Sequence, residues 1–413
     1  MLVKLVQAPR RARLRGLLAA VCAAAAVVPL ATAPAGASAP EGAIAARAAL
    51  ALAGADAGDN GDGHELSPAL ERQLDRTVRT AMRTYAIPGA VVGIWLPGRG
   101  RFVRAFGVAD KKTGAPMRTD MNTRIGSVTK TFTVTALLEL VDQGRVHLDD
   151  PISRYVAGVP DGGRITLRDL ADMRSGLYPY TADNGFLKDF LSHPKRSFTP
   201  KQLLSYGFRH PNLFAPGSAY LYSNSNTVLL GLVIEKVTHT SLSDYVCRHV
   251  IAPSDLDRSV MTPTTYLPRP RPHGYTAQTL NGTVADATGW STSWGWADAD
   301  MVSDLQDLHA WAYDLYRGRL LSRHTQAERL AFIPTGSPGL AYGLGVADFN
   351  GWIGHNGEVP GYETVDVYLP SERATLVVMV NTDVPYRNNP ADAPGDLLAT
   401  ALTSVITPKN VFP

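Results

Sequence analysis

Residues 124–132 read Arg124-Ile125-Gly126-Ser127-Val128-Thr129-Lys130-Thr131-Phe132. A helical spacing of apolar residues runs from Thr131 to Gln143, so Ser127 stands where a helix begins. On that helix Ser127 and Lys130, three apart, share a face one turn from each other. A serine nucleophile needs such a neighbour, because its hydroxyl is inert at neutral pH until something takes its proton. A lysine can serve if burial or nearby cations lower its pKa. The positive end of the helix N-terminus favours negative charge developing there. Taken alone, Ser-x-x-Lys is a common tetrapeptide whose ordinary reading is an N-capping serine and a surface lysine.

Working toward the N-terminus, Ala90 to Leu96 and Arg101 to Val108 are short strand-like runs joined by Pro97-Gly98-Arg99-Gly100, which predicts a hairpin. Ahead of it, Ser67-Pro68 is an N-cap and first-turn pair for a helix with Leu70, Leu74, Val78 and Met82 on one face. Toward the C-terminus, helical spacing recurs over 167–174, 200–206, 226–237 and 303–316, with Pro/Gly/Ser/Asp-rich loops between. Strand signals return at 342–347, 361–369 and 374–381, and Asp396 to Ile406 closes with a helix. The expected fold is α+β: a five-stranded antiparallel sheet from the two chain ends, flanked by N- and C-terminal helices, with a mostly helical subdomain inserted. The boundaries are 65–115 and 335–413 for the sheet part and 116–334 for the insertion. A cleft between the two parts is where chemistry is expected.

Two further segments carry chemistry-bearing residues. Tyr222-Ser223-Asn224 lies between the turn Ala215-Pro216-Gly217 and a helix. Its phenol can relay protons and its Asn224 amide can bind a substrate amide; a packed tyrosine with an N-capping asparagine is the alternative. Gly354-His355-Asn356-Gly357-Glu358 precedes or starts a strand, and Gly357 permits close backbone approach. A backbone N–H there, paired with that of Ser127, would form an oxyanion hole. His355 by itself is more often structural. Gly-x-Ser-x-Gly, His-Glu-x-x-His, Walker A and Gly-x-Gly-x-x-Gly patterns are absent, which disfavours α/β-hydrolase, zincin, P-loop and Rossmann readings.

Composition narrows the class. The 413 residues are 45% hydrophobic and 19% charged, an ordinary globular balance. Of 40 Lys+Arg, five lie in the first fifteen residues, leaving 35 against 37 Asp+Glu in the rest. The body is slightly acidic, so a nucleic-acid partner recruited by net charge is disfavoured. The basic start, the apolar run Leu17 to Leu30 and Ala37-Ser38-Ala39 predict a cleaved export signal over 1–39, with a retained anchor as the alternative. Residues 40–64 read as a flexible linker; their Asp59 to Gly63 acids resemble a calcium loop but lack the closing glutamate. Loss of the signal leaves Cys247 alone, so no internal disulfide is expected in a secreted product.

The order Ser-x-x-Lys, Tyr-x-Asn, His-x-Gly resembles the serine β-lactamase and DD-peptidase superfamily. Within it, the pattern is most similar to the class C β-lactamase branch with the secreted Streptomyces-type D-alanyl-D-alanine carboxypeptidase. Arg174-Ser175-Gly176-Leu177-Tyr178 and Tyr342-Gly343-Leu344-Gly345 support the resemblance, which spans about Leu66 to Ile406. It implies that Ser127 is the acylated nucleophile, that Lys130 and Tyr222 share proton transfer, and that Asn224 holds the acyl-side amide. It implies that His355 acts electrostatically beside Tyr222, and that the N–H groups of Ser127 and Glu358, beside Gly357, form the oxyanion hole. Trp294 matches an aromatic pocket wall, with core packing as the alternative, and Phe186 would line the same cleft. No metal and no cofactor is implied. The implied activity is D-alanyl-D-alanine carboxypeptidase on peptidoglycan peptides, with β-lactamase, esterase or a non-turnover penicillin-binding module as rivals. A monomer without a membrane span after signal cleavage is expected. Two departures stand out: Asn356 and Glu358 replace hydroxyl residues flanking Gly357, and Ala347 lies where the carboxypeptidase places an arginine for the substrate carboxylate. Arg174 and Arg271 are the remaining candidates for that cation.

Overall fold

A computed structural model describes residues 66–389 and 391–413. The expected export signal and linker lie outside the described residues.

Helix α1 spans Pro68–Thr84 and is capped by Ser67, whose Oγ accepts the Leu70 N–H. Its buried stripe is Leu74, Val78, Ala81 and Met82. Strands β1 (Gly89–Leu96) and β2 (Gly100–Gly107) form the expected hairpin, in register from Gly89 opposite Gly107 to Leu96 opposite Gly100. The central helices are α2 (Thr129–Asp142), α3 (Asn224–Thr238) and α4 (Leu305–Arg317). The chain then returns to the sheet through β3 (Ile333–Pro334), β4 (Leu340–Tyr342), β5 (Ala347–Phe349), β6 (Trp352–Val359), β7 (Tyr362–Leu369) and β8 (Ala374–Val380). Helix α5, Pro394–Ile406, closes the fold.

The antiparallel sheet runs β2-β1-β8-β7-β6-β5-β4-β3. Among the described residues it therefore has eight strands rather than the five expected: the eight-residue β6 is added, and the edge is made of the three short strands β3, β4 and β5. The expected strand 342–347 is divided: Gly343 to Val346 turn between β4 and β5, with Gly345 at φ +67° and the Gly343 N–H donating to the Val346 carbonyl. The strand carrying His355 is complete in its own right, because β6 pairs with β7 from Ile353 opposite Tyr368 to Val359 opposite Tyr362. Two glycines and three polar residues hid that strand from an apolar-alternation reading.

Both faces of the sheet are covered. Val92 and Ile94 of β1 pack with α1 and with Leu398 and Leu402 of α5. Val377 and Met379 of β8 join the larger cluster with α2, α3 and α4. Every residue of β8 is buried, which explains its unbroken run Ala-Thr-Leu-Val-Val-Met-Val. Helix α2 is buried almost all round. It is fixed against α4 by Phe132 stacked on Trp311, whose indole N–H donates to Thr131 Oγ1 at 2.8 Å. The end of α2 that carries Ser127 thus meets the open part of β6.

Candidate active site

Ser127 lies in a single 3₁₀ turn, Gly126–Val128, leading into α2. The turn is pressed against β6. A Cβ on Gly126, which has φ +52°, would come 2.6 Å from the Glu358 nitrogen. A Cβ on Gly357 would come 2.6 Å from the Ser127 nitrogen and 2.1 Å from the Ile125 carbonyl oxygen. Only glycine fits at either place, and the close approach sets the N–H groups of Ser127 and Glu358 on facing backbones. That is where donors must stand to hold a tetrahedral oxyanion.

Lys130 has no exposed surface. Its Nζ donates to Ser127 Oγ at 2.9 Å and to the Asp298 carbonyl at 3.0 Å, and lies 3.7 Å from Asp298 Oδ2. Burial pushes the Lys130 pKa down to about 8, although the Asp298 carboxylate opposes the shift. Burial pushes Asp298 up to about 7, against the pull of Lys130 and of the Tyr180 hydroxyl. Burial thus keeps the amine form of Lys130 accessible near neutrality, as a base needs, while Asp298 limits the shift.

Tyr222 ends the loop before α3, with its ring centroid 4.9 Å from Lys130 Nζ. Its hydroxyl is buried close to Ser127 but makes no hydrogen bond of good geometry. Burial raises its pKa well above 10, so it remains a phenol with a proton to give. His355 stands 6.1 Å from the Tyr222 ring and 3.0 Å, through Nε2, from the Tyr342 hydroxyl; its Nδ1 faces the Asn356 carbonyl. Burial and the Lys130 charge push His355 down to about 3, so it is a neutral imidazole. Asn224 opens α3, its Nδ2 3.5 Å from Thr181 Oγ1 and its buried Oδ1 without a partner, available to a substrate N–H.

The structure thus brings together Ser127, Lys130, Tyr222, His355, Gly357 and Glu358. Trp294 stands apart: its indole packs against Phe186 and Phe190 in the core, and its carbonyl accepts the Tyr180 hydroxyl. Phe186 is fully buried in the same aromatic cluster. Of the two candidate cations, Arg174 donates to the Gly217 carbonyl and Arg271 to that of Leu267. Sequence reasoning missed Asp298, Tyr180 and Tyr342. The available signal for Asp298 was a pair of acids in Trp294-Gly295-Trp296-Ala297-Asp298-Ala299-Asp300, an apolar run where a solvated acid has no place.

Comparison with known proteins gives a consistent picture. The family model described as "Beta-lactamase" matches residues 74–401. A D-aminopeptidase of Brucella anthropi is 30% identical over 75% of this chain, and the match covers 59% of that relative's own length. The chain therefore spans about three-fifths of this curated relative. Among solved structures, a D-stereospecific amidohydrolase from Streptomyces sp. is 30% identical with a TM-score of 0.72, covering 82% of this chain and 99% of the other. The D-amino acid amidase from Ochrobactrum anthropi SV3 is 26% identical with a TM-score of 0.69, covering 81% of this chain and 100% of the other. A penicillin binding protein from Bacillus halodurans shares the fold at 22% identity and a TM-score of 0.64, covering 75% of this chain and 96% of the other.

Proposed function

The chain belongs to the β-lactamase family and is a serine hydrolase of that fold; from that premise we propose that it cleaves amides of D-amino acids, including N-terminal D-residues of peptides. The observation that carries the chemistry is Lys130 Nζ at 2.9 Å from Ser127 Oγ, with Tyr222 over the same nitrogen. Lys130 as an amine accepts the Ser127 proton while Oγ attacks the amide carbonyl. The N–H groups of Ser127 and Glu358 hold the oxyanion. Tyr222 delivers a proton to the departing nitrogen and is reprotonated through Lys130, so the amine leaves neutral and the acyl group stays on Ser127. Water then attacks the ester by the reverse proton path and frees the D-amino acid.

The substrate class is supported by similarity to proteins named for D-aminopeptidase and D-amino acid amidase activity. It is supported also by the site. The D-alanyl-D-alanine carboxypeptidase expected from the motifs shares the acyl-enzyme but must accommodate a leaving carboxylate, an ion costly to desolvate unless paired. Ala347 and Glu358 offer that carboxylate no cation. The test is a comparison of kcat/KM for D-alaninamide, L-alaninamide and an N-acylated peptide ending in D-Ala-D-Ala. D-Alaninamide is expected to lead; faster release of D-Ala from the peptide overturns the reading in favour of the carboxypeptidase. Action outside the cell belongs to the same proposal, and a secreted product beginning near Pro40 is its check.

A further inference from the structure

Beside the oxyanion strand lies a group of carboxylates with no cation to match. Glu358 of β6 and Glu363 of β7 are directly opposite in register, so their side chains share one face. Gln278 Nε2 donates to Glu358 Oε1 at 2.9 Å and to Asp383 Oδ2 at 2.7 Å, holding those two acids side by side. Asp396, in the first turn of α5, accepts from Asn356 Nδ2 at 2.8 Å. The hydrogen-bond donors to these four acids among the described residues include Gln278, Asn356, Thr276 and the N–H groups of Gly361 and Gly395, all neutral.

An independent observation shows that the group is unfinished. Glu363 Oε1 is buried without a hydrogen-bond partner, on a residue 4% exposed. A buried acceptor left unpaired is costly. A fold that retains this arrangement gains from a cation supplied by a ligand. Among the described residues no three or more His, Cys, Asp or Glu side chains are placed to hold a metal ion; an ammonium group, which carries charge and donates hydrogen bonds, matches acceptors of this kind. Glu358 and Asp396 are only partly buried, and the Glu358 backbone nitrogen faces the Ser127 turn.

We propose that the Glu358 carboxylate, backed by Asp383, Glu363 and Asp396, binds the α-ammonium group of the substrate. This inference rests on the amide reading above for the substrate, and it assigns the subsite. The reach is short. Glu358 supplies the N–H that holds the carbonyl oxygen, and an α-ammonium nitrogen is two bonds from that carbonyl carbon. A charge on the leaving amine has no such fixed tether to Glu358.

The experiment compares kcat/KM for D-alanine p-nitroanilide and N-acetyl-D-alanine p-nitroanilide, and for the S-phenyl thioesters of glycine and N-acetylglycine. Wild type should prefer the free amine in both pairs. Glu358→Gln should lower that preference about 10–100-fold, chiefly through KM. Asp383→Asn, one residue further from the substrate, should lower it less. A thermal melt of each variant separates loss of fold from loss of recognition. An unchanged preference in folded Glu358→Gln overturns the subsite, as does a preference that tracks positive charge on the leaving group. If neither anilide is cut while the thioester pair retains the preference, the amide reading falls and the subsite stands. If neither pair reacts, both fall.

Discussion

At position 130 a lysine with no exposed surface faces a serine hydroxyl on one side and a buried aspartate on the other. Its pKa near 8 makes acylation pH-dependent with a definite sign. The amine form grows as pH rises, so the single-turnover acylation rate should climb through an inflection near 8. Asp298 holds that pKa up, so Asp298→Asn should move the inflection to lower pH; an unmoved inflection would assign it to another group. Tyr222→Phe and Lys130→Ala should each slow acylation about 10²–10⁴-fold, and the double variant little further, because both serve one proton path. Ser127 and Lys130 were legible in the sequence because their relation is local, three residues on one helix. Asp298 was not, since it reaches Lys130 across 168 residues. The neutral state of His355 was equally hidden, because a His-x-Gly motif says nothing of the burial that pushes its pKa down to about 3.

Among the elements, β6 carries the oxyanion part of the mechanism proposed for Ser127. Its backbone must come close enough to the Gly126–Val128 turn for two N–H groups to converge, and Gly126 and Gly357 together permit this. Gly357→Ala should therefore cost acylation about 10²-fold or more, the value of an oxyanion donor, while the thermal melt shifts far less than the activity. Near-normal acylation by this variant would place the oxyanion elsewhere. The β1–β2 hairpin and helices α1 and α5 were legible from turn chemistry and periodicity. Strand β6 was not, since glycine and polar residues at a functional edge erase the alternation that marks ordinary strands.

For the whole molecule, the two chain ends meet in one sheet, where β1 pairs with β8 from Ala90 opposite Val380 to Trp95 opposite Thr375. Buried acids then give stability an unusual pH dependence. Burial pushes Asp172, Asp298 and Asp383 up to about 7 and Asp396 to about 6, and raises Glu358, Glu363 and Asp366 as well. Between pH 4 and 7 the folded state holds protons that the unfolded chain has released, so stability falls as pH rises. His355, lowered to about 3, opposes this as a single group below its unfolded pKa of about 6.5. The melting temperature should thus be higher at pH 5 than at pH 7.5, and Glu363→Gln should flatten the slope; a melt that rises steadily over that range contradicts it. All of this serves one chemical event. Intact-mass analysis and peptide mapping after incubation with benzylpenicillin or an S-phenyl thioester test it most directly. The account predicts one covalent acyl adduct on the peptide containing Ser127, absent in Ser127→Ala. An adduct on any other residue, or one that persists in Ser127→Ala, would contradict it.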